Sequence, residues 1–482
     1  MGLRVLVCSS EVVPFAKTGG LADVAGALPK ALAAMGNDIR VCLPKYASVD
    51  AKKFALQRYA GPFAVPMSAT VQVSVDTSDA IPGVPAYFID SPRHFDRKGL
   101  YGEPDDAERF ALFSRTTLEF LRQSDWKPDI IHCNDWQTGL IPVYLRTAYK
   151  NDPALSRIAT LYTIHNLAYQ GVFPPDALAR AGLDRSLFDM GGLEFYGQVN
   201  FMKGGLIFAD LLSTVSEAYS REIQTAEFGE RLEGVLAGRR GDLFGVLNGL
   251  DYDEWNPETD QLISARFSKD DLKGKAADKA ALQKKLNLPH RADAPMFGLV
   301  SRLAGQKGLD ILSDVLPHML QLDVQFALLG TGERHYHDLL SGFAKQYPDK
   351  LGLLLGFDNP LAHFIYAGSD FFLMPSRYEP CGLGQMISLR YGTIPIVRHT
   401  GGLADTIADF DAKTGGGNGF SFREHTAVAL CGAVARALLT MKAQPAWQRL
   451  VRNAMEADFS WGRSAKSYLD LYQRAVDHRR SQ

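Results

Sequence analysis

The hexapeptide TGGLAD occurs twice in this 482-residue chain, at 18–23 and at 400–405, once near each end. Each copy follows an apolar run that reads as a β-strand and leads into a run that can start a helix, so each reads as a glycine-rich strand-to-helix turn. Glycine lets the backbone approach a ligand closely, and the N–H groups and dipole at a helix start favour a phosphate or a sugar hydroxyl. The alternative is that the paired glycines serve packing alone. Further candidates stand where apolar runs end: Ser9, Ser10 and Glu11; Asn134 and Asp135; His165 and Asn166. His165 and Asn166 are well placed to hold a sugar hydroxyl, although a histidine in apolar surroundings is also an ordinary satisfied core group. Asp135 and Trp136 combine a carboxylate with an aromatic face, which suits a sugar acceptor; the alternative is an N-cap followed by a core tryptophan. Gly330, Thr331 and Gly332 read as a small glycine turn suited to a nucleotide's phosphate or ribose.

The elements that must position these groups are strands and helices in alternation. In the first half the runs 4–8, 39–43, 86–89, 130–132 and 159–163 read as buried strands, with 21–35 as the first helix, which implies a mostly parallel, doubly wound sheet. Ligands of such sheets bind beyond the carboxyl ends of the strands. A break at 248–257 and a charged helical stretch, 269–288, precede a second series at 296–300, 325–329, 352–356, 371–374 and 394–397. The fold class is therefore α/β, with two Rossmann-like units: 1–247, and 248–459, with a final helix at 460–482 returning to the first. The glycine-rich stretch 415–419 reads as a surface loop.

Length and composition agree, since 482 residues exceed one ordinary core and 46% hydrophobic with 22% charged residues is a globular balance. With 52 Lys and Arg against 54 Asp and Glu and no long charged run, neither nucleic acid nor an anionic membrane is expected as a partner. The five cysteines are widely spaced without a C-x-x-C pair, which argues against a disulfide framework or a zinc site and for a reducing, cytoplasmic setting. No apolar run reaches the length of a membrane span.

Lys17 with TGGLAD, HCNDW at 132–136, TIHNLAYQG at 163–171, SRLAGQKG at 301–308 and SRYEPCGL at 376–383 occur in the order seen in bacterial glycogen synthases and plant starch synthases, which the whole chain resembles. The resemblance implies the arrangement called GT-B, two Rossmann-like domains facing a cleft. It also implies transfer of glucose from ADP-glucose to the nonreducing end of an α-1,4-glucan with retention at the anomeric carbon. A nucleoside diphosphate already leaves well, so such a protein mainly supplies cations and N–H donors where negative charge grows. Arg302 and Lys307 follow a predicted strand and suit that task. The resemblance places Lys17 on the same donor, supported by amides near Gly19 and Gly20, and gives Glu379 the donor-sugar hydroxyls and the reacting centre. It puts His165 and Asn166 on the donor glucose, assigns Asp23 and Asn248 positions near the donor or the hinge, and sets Phe357 against adenine, where a core phenylalanine is the alternative. Amides around Gly382, Leu383 and Gly384 are expected to hold the diphosphate, and Cys381, with Thr400 and Gly401 of the second hexapeptide, is expected at the donor.

The chain departs from related patterns at several points. Many other two-Rossmann transferases carry a second glutamate eight residues after the first, and Ile387 stands there, so a two-glutamate mechanism is not supported. Relatives commonly have Thr or Asn at Gly384 and Tyr at Ile387, and the segment 101–106 runs directly into 107–110 where relatives often have a longer loop. Cys381 has no conspicuous histidine base nearby in sequence and reads better as packing than as a nucleophile.

Among rivals, a Rossmann dehydrogenase lacks its G-x-G-x-x-G turn, and a Walker-A sequence is missing. The Asp-x-Asp spacings at Asp251/Asp253 and Asp409/Asp411 fall outside the matched donor blocks, so no essential metal is expected. A noncatalytic glucan-binding protein, a UDP-glucose-preferring enzyme and a sucrose- or trehalose-type transferase remain as alternatives. Domain closure about 248–255 and 459–461 is expected to bring Lys17 to Arg302, Lys307 and Glu379 and to exclude water.

Overall fold

A computed structural model describes residues 2–481 of the chain, which divides into two units. The first runs to Gly249 and resumes at Trp461; the second is Leu250–Ser460. The first unit is built on β1 (Arg4–Cys8), β2 (Asp38–Pro44), β3 (Gln57–Val65), β4 (Val71–Ile81), β5 (Val84–Asp90), β6 (Ile130–Asn134), β7 (Ala159–Ile164), β8 (Val172–Phe173), β9 (Glu194–Phe195), β10 (Gln198–Asn200), β11 (Leu211–Thr214) and β12 (Leu243–Gly245). Nine of these form one sheet in the order β12-β11-β7-β6-β1-β2-β5-β4-β3, parallel from β12 to β5 and closed by an antiparallel β5-β4-β3 meander. β8, β10 and β9 make a separate small antiparallel sheet.

The second unit contains β13 (Met296–Leu303), β14 (Gln325–Gly332), β15 (Leu351–Leu355), β16 (Phe371–Met374), β17 (Ile394–Arg398) and β18 (Phe420–Phe422), all parallel, in the order β15-β14-β13-β16-β17-β18. In both units the first strand has later strands on either side of it. The chain therefore reverses direction across the sheet between β1 and β6, and again between β13 and β16. Adjacent connections there leave on opposite faces, which opens a crevice at the carboxyl ends of those strands.

The central strands are apolar and buried along nearly their whole length, as parallel strands covered on both faces must be. Helix starts are fixed by side chains where the sequence offers them: Asn200 accepts from Lys203 N, Asp358 from Leu361 N and Thr426 from Ala429 N. The glycine-rich stretch 415–419 is tied down by Asn453, whose amide donates to Gly415 O and Gly417 O at 2.8 Å each. All five cysteines are free thiols. No single helix among the described residues is long and apolar enough to cross a membrane.

Candidate active site

In the second unit the crevice is flanked by the loops that leave β13 and β16. Gly308 has φ 72°, and a Cβ there would lie 1.9 Å from Pro375 O, so only glycine lets the first loop pass against the second. That close passage, with Arg377 N donating to Gln306 O at 2.8 Å, brings Lys307 to Glu379. Lys307 Nζ donates to Glu379 Oε2 at 2.6 Å and Ser376 Oγ donates to the same oxygen at 3.1 Å. Glu379 is only 5% exposed. Arg302, at the end of β13, donates from Nη2 to Gln306 Oε1 at 3.2 Å.

The second TGGLAD supports this loop. A Cβ on Gly401 (φ 46°) would lie 2.0 Å from Glu379 O, and one on Gly402 would lie 2.1 Å from Cys381 O. Gly402 N donates to Glu379 O at 3.0 Å. Gly382 (φ 73°) is gripped by Gln385, whose Nε2 donates to Cys381 O and Gly382 O. The side chains of Cys381 and Thr400 are buried, Leu383 precedes the short Gly384–Arg390 helix, and a Cβ on Gly384 would meet Phe372, Tyr366 and Met374 at 3.0–3.4 Å.

In the first unit the strands flanking the crevice end at Cys8 and Asn134. Glu11, buried just past β1, accepts from Gly19 N at 3.1 Å, from Thr18 Oγ1 at 2.9 Å, from Tyr101 OH at 2.9 Å and from Thr18 N. Gly20 opens the Gly20–Ala34 helix, and Lys17 Nζ donates to Asp23 Oδ1 in its first turn at 2.6 Å. Past β6, Asn134 donates from Nδ2 to Cys8 O at 3.0 Å, which orients its amide, so Oδ1 faces His165 Nε2 at 2.8 Å. His165 must donate to that oxygen, which leaves the Nδ1 lone pair as its acceptor. Burial holds the His165 pKa down to about 3, so the ring is neutral at ordinary pH. Asp135, at φ 55°, turns its carboxylate to His165 N at 2.7 Å; burial pushes its pKa up to about 7, against the lowering effect of the backbone donors. Asn166 closes its own turn, its Oδ1 accepting from Ala168 N. The Oδ1 of buried Asn248 has no hydrogen-bond partner among the described residues.

Two family descriptions match the chain, starch synthase catalytic domain over residues 4–238 and glycosyl transferases group 1 over 281–455. The glycogen synthase of Desulforudis audaxviator is 49% identical over 98% of this chain and 97% of its own length. This chain belongs to the glycogen synthase and starch synthase family of glycosyltransferases. The glycogen synthase of Moorella thermoacetica is also 49% identical, over 99% of this chain and 98% of its own. The catalytic domain of Starch Synthase IV from Arabidopsis thaliana, bound to ADP and acarbose, matches with a TM-score of 0.93 at 38% identity, covering 99% of this chain and 100% of that one. Sucrose-phosphate synthase from Thermosynechococcus elongatus shares the fold alone, with a TM-score of 0.59 at 20% identity over 98% of this chain and 99% of that one. The fold class is thus α/β with two Rossmann-like units, the GT-B class of this family.

Several expected site residues in this family member are otherwise employed. Trp136 is 9% exposed, with its ring 5.0 Å from Phe110 and 5.5 Å from Phe173, so it is a core residue and offers no face to a sugar. The Asp135 side chain does not cap the turn after it; its Oδ1 accepts from His165 N and shapes the His165 turn. Gly330 and Gly332 are not in a turn, because β14 runs through Gly332 in register with β13. A Cβ on either would lie 2.3 Å from a β13 carbonyl, and Gly332 N donates to His337. The Gly19 amide is held by Glu11, and the glycines of the second hexapeptide are required by packing. Phe357 is 84% exposed, which removes the core alternative. Among the described residues no group of three or more His, Cys, Asp or Glu could hold a metal ion.

Glu11 and Asn134, which residue reasoning noted at strand ends without a role, are the side chains that hold the Gly19 amide and the His165 ring. Ser376 lay within the SRYEPCGL block, but its bond to Glu379 depends on loop geometry. Tyr101 stood out only as the start of the shortened segment 101–106; its bond to Glu11, 90 residues away in sequence, carried no signal.

Proposed function

We propose that this family member transfers glucose from ADP-glucose to the nonreducing end of an α-1,4-glucan with retention of the anomeric configuration. The observation that carries the reading is the ion pair of half-buried Lys307 with buried Glu379 at the crevice beside β13 and β16, with Arg302 at the end of β13. Lys307 and Arg302, with Lys17 just before the first hexapeptide, supply positive charge for the departing diphosphate. Charged hydrogen bonds of this kind are worth roughly 1.5–3 kcal/mol each. The task needs no bound cation in this reading. Glu379 accepts from donor-sugar hydroxyls, and its Lys307 and Ser376 partners orient it. His165, neutral with Nδ1 as acceptor, takes a glucose hydroxyl, and Asn166 stands beside it. Phe357 offers an exposed ring for the base. The Arabidopsis relative, bound to ADP and acarbose, supports both the nucleotide and the glucan side of this assignment.

Incorporation of labelled glucose into glycogen from ADP-glucose and from UDP-glucose, beside a Glu379→Ala control, tests it. Incorporation from ADP-glucose that the control loses supports the reading. Preference for UDP-glucose would overturn the donor assignment, and a folded chain that uses neither donor would overturn the transfer itself.

A further inference from the structure

β9 and β10 are joined by a two-residue turn, Tyr196 and Gly197, with φ 50° and 78°. Such a turn needs positive φ at both positions, which Asn and Gly adopt readily and tyrosine does not. The Tyr196 side chain is 69% exposed; its ring lies 4.9 Å from Phe195, and the Arg231 guanidinium lies 5.2 Å from its centroid. Arg231 (φ 66°) follows Glu230 (φ 49°), so two successive non-glycine residues hold the left-handed conformation beside the ring. Backbone strain of this kind concentrates at ligand-binding surfaces.

The hairpin and this bend are joined to the turn that carries His165. Gln170 accepts from Asn200 Nδ2, at the end of β10, at 2.6 Å, and donates to Glu230 O at 3.0 Å. Tyr169, 53% exposed, lies in the same turn and donates from its backbone N to Asn166 O. From below, buried Lys203 holds the carbonyls of Met190 and Glu194.

We infer that Tyr196, braced by Arg231, is a stacking platform that holds an α-1,4-glucan chain on the first unit, continuous with the His165 turn. The inference rests on the glucan reading above. The C–H face of a pyranose ring stacks on an exposed aromatic ring, and its hydroxyls suit the Arg231 guanidinium beside it. An exposed ring with a guanidinium against it fits a sugar chain better than an apolar protein face.

The test uses the full chain with Tyr196→Asn, which suits the turn while removing the ring, and Arg231→Gly, which relieves the bend. Retardation in glycogen-containing gels without donor is measured alongside KM for glycogen and for the nucleotide sugar. We expect glycogen affinity to fall about five- to tenfold in Tyr196→Asn and about threefold in Arg231→Gly, as for loss of one stacking contact, with no matching rise in KM for the nucleotide sugar. Arg231→Gly should also melt about 2 °C higher. Wild-type glycogen affinity in both variants overturns the platform. Retardation of the wild-type chain that is lost in Tyr196→Asn, with no transfer from either donor, supports the platform while overturning the catalytic reading.

Discussion

Lys307 and Glu379 are 72 residues apart in sequence, yet their side chains meet at 2.6 Å with Glu379 almost fully buried. A buried carboxylate beside one ammonium and one hydroxyl retains lone pairs for a sugar, which a carboxamide cannot match in charge. Glu379→Gln is therefore expected to lower kcat by about 10²–10³ while the chain stays folded. An unchanged kcat would remove Glu379 from the reacting centre. His165 leads to a different measurement. Its neutral state follows from burial and from the orientation of Asn134, so its ring NMR shifts should stay flat between pH 5 and 8. An inflection near 6.5 would contradict the neutral assignment. Asp135 titrates in the opposite sense. Its folded pKa, about 7, lies above the ordinary 3.8, so the folded chain binds more protons between those values and this group's contribution to stability falls as pH rises through that window. Asp135→Asn removes the titration, and its melting temperature relative to wild type should improve from pH 4 to pH 8. The motif blocks and the resemblance they carry marked the cations, Glu379 and His165 as candidates in the sequence. The competition for each group was not legible, because Glu11's hold on Gly19 and Phe110's packing on Trp136 exist only after long-range contacts form.

The two TGGLAD segments show how one sequence serves two purposes at the level of elements. Both begin a helix after an apolar segment, and that much is readable from glycine and periodicity. In the first copy a Cβ on Gly19 would meet nothing within 4 Å, whereas in the second a Cβ on Gly401 would strike Glu379 O. Gly401→Ala should therefore destabilise the second unit by roughly 2–4 kcal/mol and displace Glu379. Gly19→Ala should fold as wild type. Thermal melts of both variants decide this, and equal melting temperatures would refute the difference. Central strands such as 371–374 were legible because buried parallel strands are continuous apolar runs. β3 and β4 were not, since this edge meander mixes exposed and buried residues, and β11 and β12 are too short to show a period.

At the scale of the whole chain, the Trp461–Ser481 helix completes the core of a unit whose other residues end more than 200 positions earlier. Its Tyr472 OH lies 2.8 Å from His132 Nδ1, and the other nitrogen of that ring meets Thr163 Oγ1 at 2.6 Å, so one buried network joins the helix to β6 and β7. Near its end Arg479 donates to Asp210, a buried carboxylate that also accepts from Arg146 at 2.6 Å and from the backbone and side chain of Thr160. The helix also buries Trp461, Tyr468, Leu471 and Val476. A chain cut after Ser460 thus uncovers apolar surface in the first unit and leaves His132 and Asp210 short of partners, while every residue of the second unit remains. Proteolysis of the truncated chain should therefore digest the first unit and spare a fragment spanning Leu250–Ser460. Arg479→Ala, which removes one of two cations from Asp210, should cost about 1–2 kcal/mol, less than a fully buried pair because Arg479 is partly exposed. Equal resistance of both units after truncation would show that the helix is dispensable to the core it covers.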